Sequence, residues 1–278
     1  MRRRRFTSES VSMGHPDKVA DRISDSVLDY AIGFDPHARV ACETFITGGL
    51  LIIGGEIRAR ELPEDLDDQM EQSARETIRR IGYSGPGTGF DPDDAEVRIV
   101  MQEQSDDIAR GVDGGGALGA GDQGLMFGYA TNETDELMPL PIVLAHRLVA
   151  KQAAVRAVGT IQGLRPDAKA QITVTWEDDR PKQVESVLLS TQHDPMWNDR
   201  QGDLRDLVVE HLIKPALSEW WRDRIKVLFN PTGRFEAGGP EGDTGLTGRK
   251  IIVDTYGGWA RHGGGAFSGK DCSKVDRS

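Results

Sequence analysis

His262-Gly263-Gly264-Gly265-Ala266-Phe267-Ser268-Gly269-Lys270-Asp271 sets four glycines, a lysine and an aspartate within ten residues. Glycine lets a backbone approach a ligand closely and adopt left-handed conformations freely. Successive N–H groups in such a loop form a concave anion site, and a neighbouring ammonium adds a full charge. From Arg249 to Ser278 six Lys and Arg stand against three Asp, a local excess of +3 in a chain of net charge −11. That reversal of sign on a bed of glycines is the chemistry of a polyphosphate site. The alternative is a glycine-rich surface loop with scattered charges. Gly264, Gly269 and Lys270 fit G-x-x-x-x-G-K, but Asp271 stands where that phosphate motif has a Mg²⁺-holding hydroxyl. Phosphate cradling is therefore expected without the P-loop fold.

Gly14-His15-Pro16-Asp17-Lys18 puts three chemically different polar groups at the predicted start of a helix. Helix N-termini attract anions, and a carboxylate is a suitable Mg²⁺ ligand. Asp17 could equally complement the helix dipole and His15 act as a cap. Gly119-Ala120-Gly121-Asp122-Gln123-Gly124 frames an aspartate with glycines. Phe229-Asn230-Pro231-Thr232-Gly233-Arg234-Phe235 reads as a turn offering a cation and a ring. Asp167-Ala168-Lys169 precedes a predicted strand and is ambiguous alone. Neither a G-x-S-x-G elbow nor an H-E-x-x-H helix occurs, which weakens hydrolase readings.

The elements that must position these groups follow from periodicity. Pro16, Val19, Ile23, Val27 and Tyr30/Ala31 predict a helix stopped at Gly33 and Pro36. Strands are predicted at Arg39–Ile46 and Leu50–Ile57, joined at Gly48-Gly49. A helix from about Pro63 carries Leu66, Met70, Ala74, Ile78 and Ile81, and a strand follows at Glu96–Met101. A helix from Pro141, strands at Ala170–Trp176 and Gln183–Thr191, a helix over 203–217 and a strand at Ile225–Phe229 repeat that element order. Lys250–Asp254 reads as one more strand. This pattern argues α+β, not a doubly wound parallel sheet. The polar, glycine-laden 102–124 stretch is expected to be a lid.

At 278 residues the chain has room for roughly two domains. Thirty-three glycines are a high share and cluster in loops. No apolar run is long enough to span a bilayer. Arg2–Arg5 precede Phe6-Thr7-Ser8-Glu9 and no apolar h-region, so they read as a mobile basic end, not a signal peptide. The acidic balance argues against a nucleic-acid role for the four arginines. Cys42 and Cys272 form no disulfide framework or metal spacing, which points to a reducing, cytoplasmic setting.

Taken together, GHPDK (14–18), GAGDQG (119–124), Gly124–Thr134, Asp243–Lys250 and GGGAFSGKD (263–271) resemble the S-adenosylmethionine synthetases (methionine adenosyltransferases) of the bacterial type. The resemblance runs from Phe6 to Ser278. It implies a transferase that joins methionine to ATP. The sulfur attacks ribose C5′ and releases tripolyphosphate, which is hydrolysed to phosphate and pyrophosphate. His15 would assist the leaving oxygen. Asp17 and Asp276 would each ligate one of two Mg²⁺ ions, and Glu43 a K⁺. Glu56, Gln104 and Asp122 would hold methionine. Asp167, Lys169, Arg234, Phe235 and Ala266 would contact the nucleotide, and Asp243 both substrates. Arg249, Lys250 and Lys270 would bind the phosphates, and Lys274 the phosphate–methionine region. His15, Lys169, Arg249 and Lys270 are the expected catalytic set. The implied fold is α+β, with interleaved sheet-and-helix domains divided into 1–105, a lid at 106–117, 118–235 and 236–278. The implied partners are ATP, L-methionine and further copies in a dimer or tetramer with the site between subunits, with no nucleic acid and no membrane. Two departures stand out: Cys272 replaces the family's proline, and the chain stops at Ser278 with the third domain expected to be incomplete. The alternatives are an ATP-dependent phosphotransferase and an ATP-binding fragment or partner subunit without turnover.

Overall fold

The computed structural model describes residues 3–85, 87–103 and 124–277. It divides into two compact units that are not continuous in sequence. The first comprises Met1–His15, Phe127–Gly238 and Ile252–Arg261; the second comprises Pro16–Met126, Gly239–Ile251 and His262–Ser278. The fold is α+β, each unit holding a four-stranded mixed sheet with helices.

In the second unit, helix α1 (Pro16–Phe34) begins at the proline, whose fixed φ suits a first helical position. Val19, Ile23, Val27 and Ala31 are fully buried along one face. Burying each valine and isoleucine contributes about 1.5–3 kcal/mol. The hairpin β2 (Arg39–Thr47) and β3 (Leu50–Arg58) follows in antiparallel register, with Glu43 opposite Gly54 and Ala41 opposite Glu56. Helix α2 (Leu66–Ile81) buries Met70, Ala74, Ile78 and Ile81. It begins three residues later than Pro63, because residues 63–65 form a turn in which the Leu66 N–H bonds the Pro63 carbonyl. It ends at Gly82, whose left-handed φ of 115° lets its N–H cap the last turn. Strand β4 (Glu96–Glu103) then pairs parallel with β3.

The first unit repeats this order. Helix α3 (Leu140–Ala157) precedes the hairpin β5 (Leu164–Glu177) and β6 (Arg180–His193). Helix α4 (Gln201–Val208) passes through a π-helical Val209–Ile213 into the short α5 (Lys214–Leu217). Pro215 has no N–H to donate, and the wider π turn absorbs the disturbance where a continuous helix over 203–217 was expected. Strand β7 (Lys226–Phe229) pairs parallel with β6. Trp176, Ile172, Val187, Leu189, Leu148 and Leu212 centre the core.

Two expectations fail. Arg3–Arg5 are not a mobile end but open strand β1 (Arg3–Val11), which pairs antiparallel with β5 over its whole length. The Arg4 guanidinium lies 4.9 Å from the Trp259 ring and 5.7 Å from Trp176, and Arg5 pairs with Glu185 at 2.6 Å. The strand escaped notice because Ser8 and Ser10 occupy its inward positions. Their hydroxyls are spent on the Gly257 carbonyl and on His146. Secondly, Lys250–Asp254 is not a strand. Residues 247–258 are consecutive turns, with the Gly257 N–H closing back on the Ile252 carbonyl at 2.9 Å. The chain turns where the apolar Ile251-Ile252-Val253 alone would read as extended.

Candidate functional site

In the second unit the free edge of β2 is the scaffold of the site. β8 (Gly245–Leu246) pairs with Ile46 and Phe45. Thr247 continues the contact, exchanging main-chain and hydroxyl bonds with Thr44. Further along the same edge, Cys42 donates to the Gly269 carbonyl at 2.9 Å and Asp271 donates to the Val40 carbonyl at 3.1 Å, a bridge centred on Ala41 and Lys270. The two cation-bearing segments, 245–250 and 269–277, are thus stitched onto one strand. Glycine is required at both junctions. A Cβ at Gly245 would overlap the Pro16 carbonyl, and one at Gly269, where φ is 76°, would overlap that of Cys42.

A row of aspartates on α1 holds the segments from the other side. Asp17, Asp21 and Asp25 recur every fourth residue and so share a helix face. Asp17 accepts the Leu246 N–H at 3.0 Å, Asp21 the Gly248 N–H at 2.9 Å, and Asp25 the Gly269 N–H at 3.0 Å. Asp17 and Asp21 are each only 2% exposed. Buried carboxylates need partners that offset their desolvation. Lys250 pairs with Asp17, and the Arg249 guanidinium lies 3.6 Å from it. Lys18 lies 2.9 Å from Asp21, and Arg277 3.0 Å from Asp25. Lys270 pairs with Asp276 at 2.7 Å.

Asp271 clamps the end of this arrangement. Its carboxylate accepts N–H groups from Val40 at 2.7 Å and Ser273 at 2.9 Å, and pairs with Lys274. Burial pushes its carboxyl up, but the Lys274 ammonium, Ser273 and the Val40 N–H outweigh burial and hold it below the usual carboxylate range. The place of the missing P-loop hydroxyl is therefore a structural anchor. Nearby, burial pushes the Cys42 thiol up to about 12, while Cys272 is exposed.

The remaining predicted residues of this unit are distributed as follows. Glu43 and Glu56 project from the sheet face opposite Thr44, whose hydroxyl meets Ser24 of α1 at 2.8 Å. The row Leu246–Phe45–Ile52 lies on that same face. Asp243 is exposed and accepts the Thr244 N–H. Ala266 sits against Gly248. Gln104, Asp122 and the lid at 106–117 lie outside the described residues.

In the first unit, the His15 segment runs beside the start of β5. Ser12 donates its hydroxyl to the Pro166 carbonyl at 2.6 Å and accepts the Ala168 N–H at 2.8 Å. His15 and Asp167 are both buried, and Lys169 is exposed. Phe235 is half-buried and Arg234 exposed in the turn that follows β7. Sequence reasoning missed Asp21, Asp25 and Asp271 as site builders. The signal for the first two was the four-residue spacing from Asp17; Asp271 carried none beyond its position.

The chain matches three domains of one family over almost its entire length: the S-adenosylmethionine synthetase N-terminal domain at residues 3–106, the central domain at 117–235 and the C-terminal domain at 237–278. The protein belongs to the S-adenosylmethionine synthetase family. This family uses ATP, methionine and metal ions. Among the described residues no helix is long and apolar enough to cross a membrane.

The fit to Mg²⁺ can be tested on the donors. Among the described residues no cluster of three His, Cys, Asp or Glu could cage a metal. Asp17 and Asp276 instead offer single oxygen-donor carboxylates in separate lysine pairs. Mg²⁺ is commonly held by one or two carboxylates with substrate phosphates completing the shell. Asp17 and Asp276 fit that mode.

Proposed function

We propose that this chain forms S-adenosylmethionine from ATP and L-methionine. The methionine sulfur bonds to ribose C5′ as the C5′–O bond breaks. The electron pair departs with tripolyphosphate, which is then hydrolysed to phosphate and pyrophosphate. The observation carrying the reading is the set of cations seated on the α1 aspartates and on Asp271 and Asp276. A thioether is nucleophilic without losing a proton, so no general base is needed. The demand falls on stabilising a highly charged leaving group with prepositioned donors.

In this reading Arg249, Lys250 and Lys270 take the phosphates, exchanging carboxylate partners for phosphate oxygens, and Lys274 serves the phosphate–methionine region. His15 supports the leaving oxygen. Asp167, Lys169, Arg234, Phe235 and Ala266 hold the nucleotide, and Asp243 touches both substrates. Glu56, Gln104 and Asp122 hold methionine. Asp17 and Asp276 would each hold a Mg²⁺ and Glu43 a K⁺; bound Mg²⁺ supplies charge neutralisation on the polyphosphate. Self-association fits the sheet face carrying Glu43 and Glu56, which also presents Val100 at 54% and Leu246 at 37% exposure. The setting proposed is cytoplasmic.

The test is to incubate the protein with methionine, ATP, Mg²⁺ and K⁺ and analyse products by mass spectrometry. S-adenosylmethionine with phosphate and pyrophosphate is expected. ADP would replace this reading with a phosphotransferase. ATP bound without any product would make the chain a binding subunit.

A further inference from the structure

His193 ends β6 and is fully buried, yet it has no part in the chemistry above. It grips both backbone polar groups of Phe235. Its main-chain N–H donates to the Phe235 carbonyl at 3.0 Å, and its Nε2 accepts the Phe235 N–H at 3.0 Å. A backbone amide can only donate, so Nε2 carries no proton. The Gln201 side-chain amide donates to the same nitrogen at 2.9 Å. The proton therefore sits on Nδ1, which donates to the Asp194 carbonyl at 3.0 Å. The tautomer is fixed by its partners.

Adjacent groups complete the grip. The Gln192 amide donates to the Glu236 carbonyl at 3.0 Å. A Cβ at Gly238 would lie 2.8 Å from the Phe235 ring, so the turn closes tightly around that ring. Two carboxylates beside this turn are engaged elsewhere. The Asp194 carboxylate pairs with Arg165 at 2.5 Å, and Glu236 accepts from Asn198 at 2.9 Å.

We infer that His193 is a positioning residue: a neutral imidazole, locked in its Nδ1–H tautomer, that latches the turn bearing Arg234 and Phe235 in place for the nucleotide base. The inference rests on the reading of Phe235 as a nucleotide contact. Removing the Nε2 acceptor leaves the half-buried Phe235 N–H without its partner and frees the turn. A glutamine side chain can carry a carbonyl oxygen to the Nε2 position; the shorter asparagine cannot.

The experiment measures ATP binding by calorimetry in the presence of Mg²⁺, with thermal unfolding alongside, for the intact protein and for Phe235→Ala, His193→Asn and His193→Gln. His193→Asn is expected to weaken ATP binding about tenfold, leave methionine binding unchanged, and be largely rescued in His193→Gln. If Phe235→Ala weakens ATP binding but His193→Asn does not, the latch is wrong and the nucleotide reading stands. An unchanged affinity in Phe235→Ala removes the nucleotide reading and the latch with it. Equal losses of unfolding temperature in both His193 variants with unaltered ATP affinity would reduce His193 to a structural residue. Should the asparagine variant not fold, nitrogen NMR of the intact protein decides: an Nδ1–H neutral imidazole is expected, and an Nε2–H form or an imidazolium overturns the latch.

Discussion

In the first unit the place beside the first hairpin strand is filled by the nine residues of β1, paired along β5 from Arg3 to Val11. In the second unit the corresponding edge of β2 is met by only the two residues of β8, then by the isolated bridge at Lys270. Both sheets otherwise follow one plan, a hairpin with a third strand added in parallel after a helix. The helices differ in the same sense. α3 enters its core with Leu140, Ile142 and Leu144, whereas α1 buries Asp17 and Asp21 in its first turns. A fully paired edge and an apolar helix make a stable layer. A partly paired edge beside an aspartate-bearing helix leaves backbone and carboxylates to hold loops that carry cations. One architecture thus has a fully paired edge in one unit and an edge that holds cation-bearing loops in the other, according to what occupies a single strand position.

The contrast can be broken most sharply at the charges. Asp17→Asn and Lys270→Ala should each lower S-adenosylmethionine formation by about 10³-fold or more, the scale of losing a main electrostatic contact in a dry site, while circular dichroism stays native. An active Asp17→Asn protein would remove Asp17 from the metal assignment. In the other unit, Trp176→Ala should cost about 3–5 kcal/mol of stability in denaturant unfolding, because its fully buried ring sits in the core and 4.8 Å from Trp259. A loss below about 1 kcal/mol would contradict that core.

Gly245→Ala should destabilise by about 1–3 kcal/mol as its methyl meets the Pro16 carbonyl. The same exchange at Gly202, where nothing lies within 4 Å, should be neutral or better. Asp271 gives a pH signature. Its folded carboxyl is held below the ordinary value of 3.8, so its stabilisation is complete above that value and is lost as pH falls through the lower folded value. Asp271→Asn should flatten the fall in unfolding midpoint below about pH 4; an unchanged acid limb would show that Asp271 does not govern it. The smallest expected effect is chemical. A maleimide should label exposed Cys272 and spare Cys42, whose thiol is pushed up to about 12. Fast labelling of both would mean that the β2 edge is open.

Much of this protein was legible in its residues. Pro16, the 3.6-residue spacing through Ala31 and the Gly48-Gly49 turn fix local conformation by steric and burial rules that need no distant partner. The glycine–lysine loop pointed to an anion site because its charge contradicts the chain around it, and Lys270 pairs there with Asp276. What sequence could not decide lies in contacts between residues far apart along the chain. β1 is a strand because Trp176, Trp259 and Glu185 receive its arginines, and the charge run alone says the opposite. Residues 250–254 turn, with Lys250 paired to Asp17 and the Ile252 carbonyl taking the Gly257 N–H. Asp21, Asp25, Asp271 and His193 acquire roles only when folding brings backbone N–H groups to them. A hydrogen bond belongs to a pair, and the sequence shows each partner separately. Tertiary structure decides which carboxylate or imidazole meets which amide, and with that it decides how the loops of this protein are held.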